Sequence, residues 1–231
     1  MDNLPLPKRA IILAAGKGTR MIPLTSSIPK PLVEVRGKSI LNHIIDAFPK
    51  SIKEIIIVLG YKGDLIRSHL RKHYTGQTFV FIKQKELLGT AHAVLQTKHL
   101  FKDEKERFFI VYGDAFTTKE EIKKCLKYEH AWVCHEFTQS IPTGVAVLSP
   151  KGNIIKVAEN RSGKKPPFIS VGGVMLVSAK VFHYKPWRHN TGEYYLTSML
   201  GQFLKDHDVY SVLGIPNLSL STAEDITQFN I

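Results

Sequence analysis

The sequence predicts an α/β fold: three layers, with helices on both faces of a mixed, mostly parallel central sheet. Three observations carry this. Apolar runs alternate with helical patterns through the first half of the chain, which is the rhythm of a doubly wound sheet. Those runs are continuously apolar rather than alternating, as in strands buried on both faces. After Asp114 the rhythm changes to short, closely spaced β segments, so the parallel core acquires an antiparallel or mixed extension.

In order, 10-AIILAA-15 reads as a strand, Ile40 to Phe48 as a helix, and 54-EIIIVLG-60 as a second strand. A helix from Lys62 to His73, a strand 79-FVFIKQ-84, a helix from Ala91 to Leu100 and a strand 108-FFIVYGD-114 follow. Ala131 to Glu136, Gly144 to Ser149, Ile154 to Val157 and 170-SVGGVMLVS-178 read as the β extension, and Tyr194 to Lys205 as a helix. In such sheets ligands bind at the carboxyl ends of the strands. The stretch 161-RSGKKPP-167 is the candidate for a mobile loop.

With 231 residues, 43% of them hydrophobic, the chain suits one domain, and composition marks no internal boundary or repeat. Leu4 to Pro7 is too short and proline-broken for a secretory segment, and no apolar run reaches the roughly 18 residues of a membrane helix. A soluble, cytoplasmic protein without membrane partners is expected. Two cysteines, Cys125 and Cys134, make no disulfide framework, and both read as reduced thiols. None of the ten histidines stands in a spacing that suggests zinc, and no GxSxG elbow suggests a hydrolase.

The net charge of +12 attracts anions. The lysines and arginines are spread thinly, without a tract of five or more, which fits a solvated surface better than a nucleic-acid footprint, so nucleic acid is not an expected partner.

The sharpest signal is 10-AIILAAGKGTRMIPLTSSIPKPL-32, a buried strand ending in two glycines one residue apart. No glycine stands five residues before Gly16, so this is not a Walker loop, and Met21 occupies the third-glycine place of a dinucleotide fingerprint. What remains is a strand-to-helix turn whose N–H groups can approach a polyphosphate, with Arg20 placed for bidentate phosphate contact and Lys30 as a second cation.

This string, Leu13-Ala14-Ala15-Gly16-Lys17-Gly18-Thr19-Arg20-Met21 followed by Pro29-Lys30-Pro31-Leu32, resembles the signature of the nucleotidyltransferases, or pyrophosphorylases, that activate sugar 1-phosphates. Further positions extend the resemblance over residues 9 to 200. Gln84 with 88-LGTAHAV-94 resembles the family's base- and ribose-side segment, in which Gln84 and the backbone near Gly89 and Thr90 meet a uracil or thymine edge. Tyr112-Gly113-Asp114 resembles the family's metal-binding motif, with Asp114 holding Mg²⁺ against the phosphates. Gly144, Glu159, Val171, Gly172 and Glu193 resemble the sugar-side elements.

The resemblance implies a Rossmann-like nucleotidyltransferase domain over 1–231 without an appended acyltransferase β-helix. It implies Mg²⁺-dependent transfer from an NTP, UTP or dTTP foremost, to a sugar 1-phosphate, giving NDP-sugar and pyrophosphate. Leu13, Ala14, Ala15, Gly16, Gly18, Thr19, Gln84, Gly89, Thr90 and Gly113 form its nucleotide side, and Arg20, Lys30 and Asp114 its catalytic group. The chemistry fits the residue types: two polyanions must be joined, so the site needs cations and N–H donors rather than a nucleophilic side chain.

Three departures matter. Where relatives carry a second metal ligand, this chain reads 217-NLSLSTAED-225, with Ser219 and Ser221 at the expected carboxylates, leaving Asn217 or water to complete the metal shell. Valine at 171 replaces the asparagine of acetylglucosamine-specific members, and the acceptor stays open. Asn160 takes the place of a phosphate-binding lysine, with Arg161 next to it. Two other readings stand beside the first: a cytidylyltransferase acting on a phosphorylated alcohol such as phosphocholine, and a non-catalytic regulatory or nucleic-acid-binding protein. The choice among sugars and pyrimidine bases, and the oligomeric state, are left open.

Overall fold

The computed structural model describes residues 4–139, 143–160 and 165–230. Its strands are β1 (Arg9–Ala14), β2 (Glu34–Val35), β3 (Lys38–Ser39), β4 (Glu54–Leu59), β5 (Thr78–Lys83), β6 (Arg107–Tyr112), β7 (Ala131–Phe137), β8 (Thr143–Leu148), β9 (Ile154–Asn160), β10 (Phe168–Ser178) and β11 (Tyr210–Leu213). The helices are α1 (Leu24–Ser27), α2 (Ile40–Ala47), α3 (Gly63–His73), α4 (Thr90–Leu95), α5 (Lys119–Cys125), α6 (Leu196–Phe203) and α7 (Ala223–Asn230).

The central sheet runs β11-β7-β10-β6-β1-β4-β5, with β8 and β9 attached along β10. β5, β4, β1 and β6 are mutually parallel, while β10 runs antiparallel to both β6 and β7. The sheet is mixed and mostly parallel in its core, as the sequence predicts. The parallel part has the doubly wound order, so the chain reverses its direction of travel between β1 and β6 and a crevice opens there.

β1 shows why the strands read as unbroken apolar runs. Ala10, Ile12 and Ala14 pack on one side with α2, α3 and α5, while Ile11 and Ala15 pack on the other with α4 and α6. Ile11, Ile12, Phe108 and Phe109 are wholly buried. Each such side chain contributes about 1.5–3 kcal/mol of burial relative to exposure, so both helix layers are held by the same strands.

Three differences from the sequence reading have local causes. The helix read from Ala91 to Leu100 stops at Leu95, and a 3₁₀ turn covers Lys98–Leu100. α5 and α7 were not anticipated, although each starts on a capping box. Thr118 and Glu121 exchange backbone and side-chain hydrogen bonds at the first, and Thr222 and Asp225 do so at the second. Finally, no sustained helix follows the glycine turn: Thr19–Met21 is a 3₁₀ turn and α1 has a single turn. Pro23, Pro29 and Pro31 lack the N–H donors a longer helix needs. The loop's own amides and side chains, rather than a helix N-terminus, are therefore what it offers an anion. The 161-RSGKKPP-167 loop and Arg161 fall largely or wholly outside the described residues.

Candidate active site

At the carboxyl ends of β1 and β6 lies a cavity of about 980 Å³, which is roomy for a nucleotide and a second small ligand together. Its wall contains Leu13, Ala14, Ala15, Gly16, Gly18, Thr19, Arg20, Lys30, Gln84, Gly89, Thr90, Gly113, Asp114, Gly144, Val171, Gly172 and Glu193. The site residues singled out from the sequence thus converge on one crevice wherever their side chains are described; that of Glu159 lies outside what is described. Glu159 pairs through its backbone with Gly144 on the neighbouring strand.

The glycine turn is held from both sides. Leu13 O accepts from Gly113 N at 2.9 Å and Ala15 O from Tyr61 N at 3.0 Å, while Thr25 Oγ1 donates to Gly18 O at 2.8 Å. The two glycines serve different needs. Gly18 is left-handed, at φ 64°, and a Cβ there would come within 3.1 Å of Lys30 and Thr25, so the fold itself requires glycine. At Gly16 a Cβ would meet nothing within 4 Å. Space at Gly16 is space in the cavity, and a ligand that uses the backbone there is what a side chain would obstruct.

Lys30 is buried beside this turn, and its Nζ donates to Asp114 Oδ2 at 2.8 Å. Asp114 stands two residues past the end of β6 and its side chain is 42% exposed, so the pair joins a buried ammonium to a carboxylate facing the cavity. Arg20 is exposed on the cavity wall, as is Lys17. Lys17, Arg20, Lys30 and the Asp114 carboxylate thus share one cavity, and cations gathered in this way attract phosphates.

Gln84 is buried, with Nε2 3.2 Å from Gly89 O and 3.0 Å from His92 Nδ1. Thr90 spends its hydroxyl structurally, accepting from Leu196 N at 2.8 Å, so α4 and the start of α6 are clasped together. Tyr194 N donates to Leu88 O and Ala91 N to Tyr194 O, completing the clasp. Glu193 lies ahead of α6, outside its first turn, and faces the cavity.

The far end is shaped by an irregularity in β10. Pairing with β7 shifts register between Val171 and Met175, a bulge in which Val171 and Gly172 turn to the cavity. The Gly172 carbonyl accepts from the Trp132 indole N–H at 2.7 Å, and a Cβ at Gly172 would lie 2.7 Å from His135 Nε2. Glycine is required by that close approach.

Several cavity residues were not singled out in the sequence reading: Thr143, Trp132, Thr191, Tyr195 and Thr197. Tyr195 stands two residues after Glu193, and its hydroxyl lies 2.8 Å from Thr191 Oγ1. Asn217 is engaged elsewhere: its Oδ1 accepts from Thr138 N at 2.8 Å. Ser221, by contrast, lines the cavity. Asp225 is committed to its cap. Burial alone would raise its carboxyl, but hydrogen bonds from Ser221, Ser219 and Thr222 outweigh that and hold it below the ordinary carboxylate value. No cluster of three or more His, Cys, Asp or Glu suited to a metal occurs among the described residues. Both cysteines are buried, and burial pushes the Cys125 thiol up to about 12.

The crevice lies at the topological switch point of the sheet, where folds of this class bind their ligands. Residues 9–210 match the model of the nucleotidyl transferase family, and the chain belongs to that family. It is 32% identical over 205 residues to the bifunctional protein GlmU of Methanocaldococcus jannaschii, an alignment spanning 88% of this chain and 48% of that protein. The chain spans about half the length of the curated relatives it matches. Among solved structures it is similar to a UDP-glucose pyrophosphorylase complexed with UDP-glucose, at TM-score 0.77 and 18% identity over 97% of each chain. It is likewise similar to a CTP:phosphocholine cytidylyltransferase from Streptococcus pneumoniae, at TM-score 0.76 and 20% identity over 97% of this chain and 98% of that one. Among the described residues no helix is long and apolar enough to cross a membrane.

Proposed function

We propose that the protein transfers a nucleotidyl group from UTP or dTTP to a sugar 1-phosphate, releasing pyrophosphate. The observation that carries this reading is that the Lys30–Asp114 pair shares one cavity with Gln84, Glu193, Tyr195 and Gly172. Two reactants laid along it would meet at that pair. Similarity to GlmU and to a UDP-glucose pyrophosphorylase supports the choice of a sugar phosphate as acceptor.

In the reaction an acceptor phosphate oxygen attacks the α-phosphorus of the NTP, and the bond from that phosphorus to the oxygen bridging it to the β-phosphorus breaks. No side chain needs to become a nucleophile. The chain's own part is to gather charge: amides of the 16–18 turn and the Arg20 guanidinium face the β- and γ-phosphates, where the departing pyrophosphate gathers charge, and Lys30 holds the acceptor phosphate. Glu193 accepts hydrogen bonds from sugar hydroxyls, and burial of the base edge against Gln84 excludes water from that contact.

The residues fit a Mg²⁺ ion. Asp114 gives one accessible carboxylate, Ser221 lines the same cavity, and Mg²⁺ characteristically completes its shell with water and substrate phosphates rather than an all-protein cage. When bound, the ion supplies charge neutralisation at the phosphates. Buried thiols and the lack of a membrane-spanning helix among the described residues are compatible with a cytoplasmic location.

Pyrophosphate release tests the proposal. It is expected only when Mg²⁺, a pyrimidine NTP and a sugar 1-phosphate are all present. Equal release from the NTP alone would make the protein a hydrolase and overturn the reading.

A further inference from the structure

His92 belongs to the 88–94 segment but is not among the residues that line the cavity; it contacts Gln84 from the first turn of α4. The contacts of Gln84 fix which way its amide faces. A backbone carbonyl only accepts, so the atom 3.2 Å from Gly89 O must be the NH₂ group. The other N–H of that group points at His92 Nδ1, 3.0 Å away, which must then present a lone pair and leave the ring proton on Nε2. Gln96 Nε2 lies 3.1 Å from His92 Nε2 and 3.4 Å from His92 O, so two amide groups face the two ring nitrogens and one must turn its oxygen to the ring. The longer of the two backbone contacts is that of Gln96, whose oxygen, turned over, accepts the ring proton. Both N–H groups of Gln84 are thereby used inside the protein, and Oε1 is the part of the amide left for a ligand.

We propose that His92 is a positioning residue that sets base selectivity by locking Gln84 as an acceptor. This rests on the nucleotidyl transfer proposed above and deepens it. An acceptor-only side chain matches the N3–H of uracil or thymine, whereas cytosine offers a lone pair at N3 and would set oxygen against nitrogen. Without His92 only the longer contact to the Gly89 carbonyl opposes turning the amide over, so NH₂ is presented to cytosine more readily.

Isothermal titration of UTP, dTTP and CTP into the wild type and into His92→Ala, His92→Asn and His92→Gln tests this. Asparagine places a polar atom near the position of Nδ1, glutamine near that of Nε2, so only the first can hold Gln84. The wild type is expected to favour UTP or dTTP over CTP. His92→Ala and His92→Gln should lose about tenfold of that preference, the scale of one unmatched buried hydrogen bond, while His92→Asn keeps it. A purely structural role would weaken all three nucleotides alike and leave their ratio unmoved. An unchanged ratio in His92→Ala, or equal ratios in the Asn and Gln variants should alanine prevent folding, overturns the inference. A wild type that itself favours CTP overturns the base assignment of the proposed function, a failure visible before any variant is made.

Discussion

The two walls of the cavity are built by different means. On the nucleotide side, β1 and β6 are parallel neighbours whose ends deliver consecutive residues, 13 to 20 and 112 to 114, into the crevice. On the side proposed for the acceptor, Gly144, Val171 and Gly172 come from separated strands brought together by sheet pairing and the bulge in β10, and Glu193 is set beside Gly89 by the clasp between Thr90 and Leu196. Where one loop makes the site, chemistry is concentrated in a few charged groups. Where packing makes it, the work is shape, and single substitutions should have smaller and more diffuse effects.

Substitutions at the junction of the walls sharpen this contrast most. Asp114→Asn should lower turnover on the order of 100-fold or more with the fold unchanged, since it removes anionic anchoring without altering volume. A variant keeping over a third of the wild-type rate at saturating Mg²⁺ would show that Asp114 holds no metal. Arg20→Lys should come next, reducing kcat strongly with little change in KM for the acceptor, because an ammonium cannot meet two phosphate oxygens as a guanidinium does. Lys30→Ala should raise the acceptor KM as well as lower the rate. Identical kinetic patterns in the two variants would break the assignment of one cation to each reactant.

The loop glycines give a smaller effect with a sharper split. Gly18→Ala should destabilise the protein by about 1–2 kcal/mol through its left-handed backbone, measured by denaturant unfolding. Gly16→Ala should leave stability unchanged and weaken nucleotide binding. Equal stability losses at both sites would mean that neither glycine is reserved for a ligand.

This division also explains what was legible in the sequence. Strands β1, β4 and β6 are buried on both faces, so their apolar runs announce themselves, and the motifs at their ends sit in unbroken stretches of chain. Trp132 and Thr143 reach the cavity only through sheet pairing, which no local pattern records. The capping boxes at 118-TKEE-121 and 222-TAED-225 were readable signals of α5 and α7 that periodicity alone missed. The helix expected after Gly18 shows the converse: a motif's end can be right while the element beyond it is set by prolines.

The smallest expected effect lies away from both walls. His130 is buried against Phe203, and desolvation lowers its pKa from 6.5 to about 4. The unfolded chain therefore binds the extra proton between those values, so this group's contribution to stability is complete above pH 6.5 and declines as pH falls toward 4. Thermal melts across that interval should show a loss that His130→Gln reduces. An identical slope in the variant would assign the acid sensitivity to other groups.

The most direct test of two reactants meeting at the Asp114–Lys30 pair is the identity of the product. The protein should be incubated with Mg²⁺, the four NTPs and a mixture of sugar 1-phosphates, and the products identified by mass. The expected species joins a uridine or thymidine monophosphate unit to a sugar phosphate, with one pyrophosphate per molecule formed. A nucleoside monophosphate without an attached sugar phosphate, or no new species at all, would contradict it.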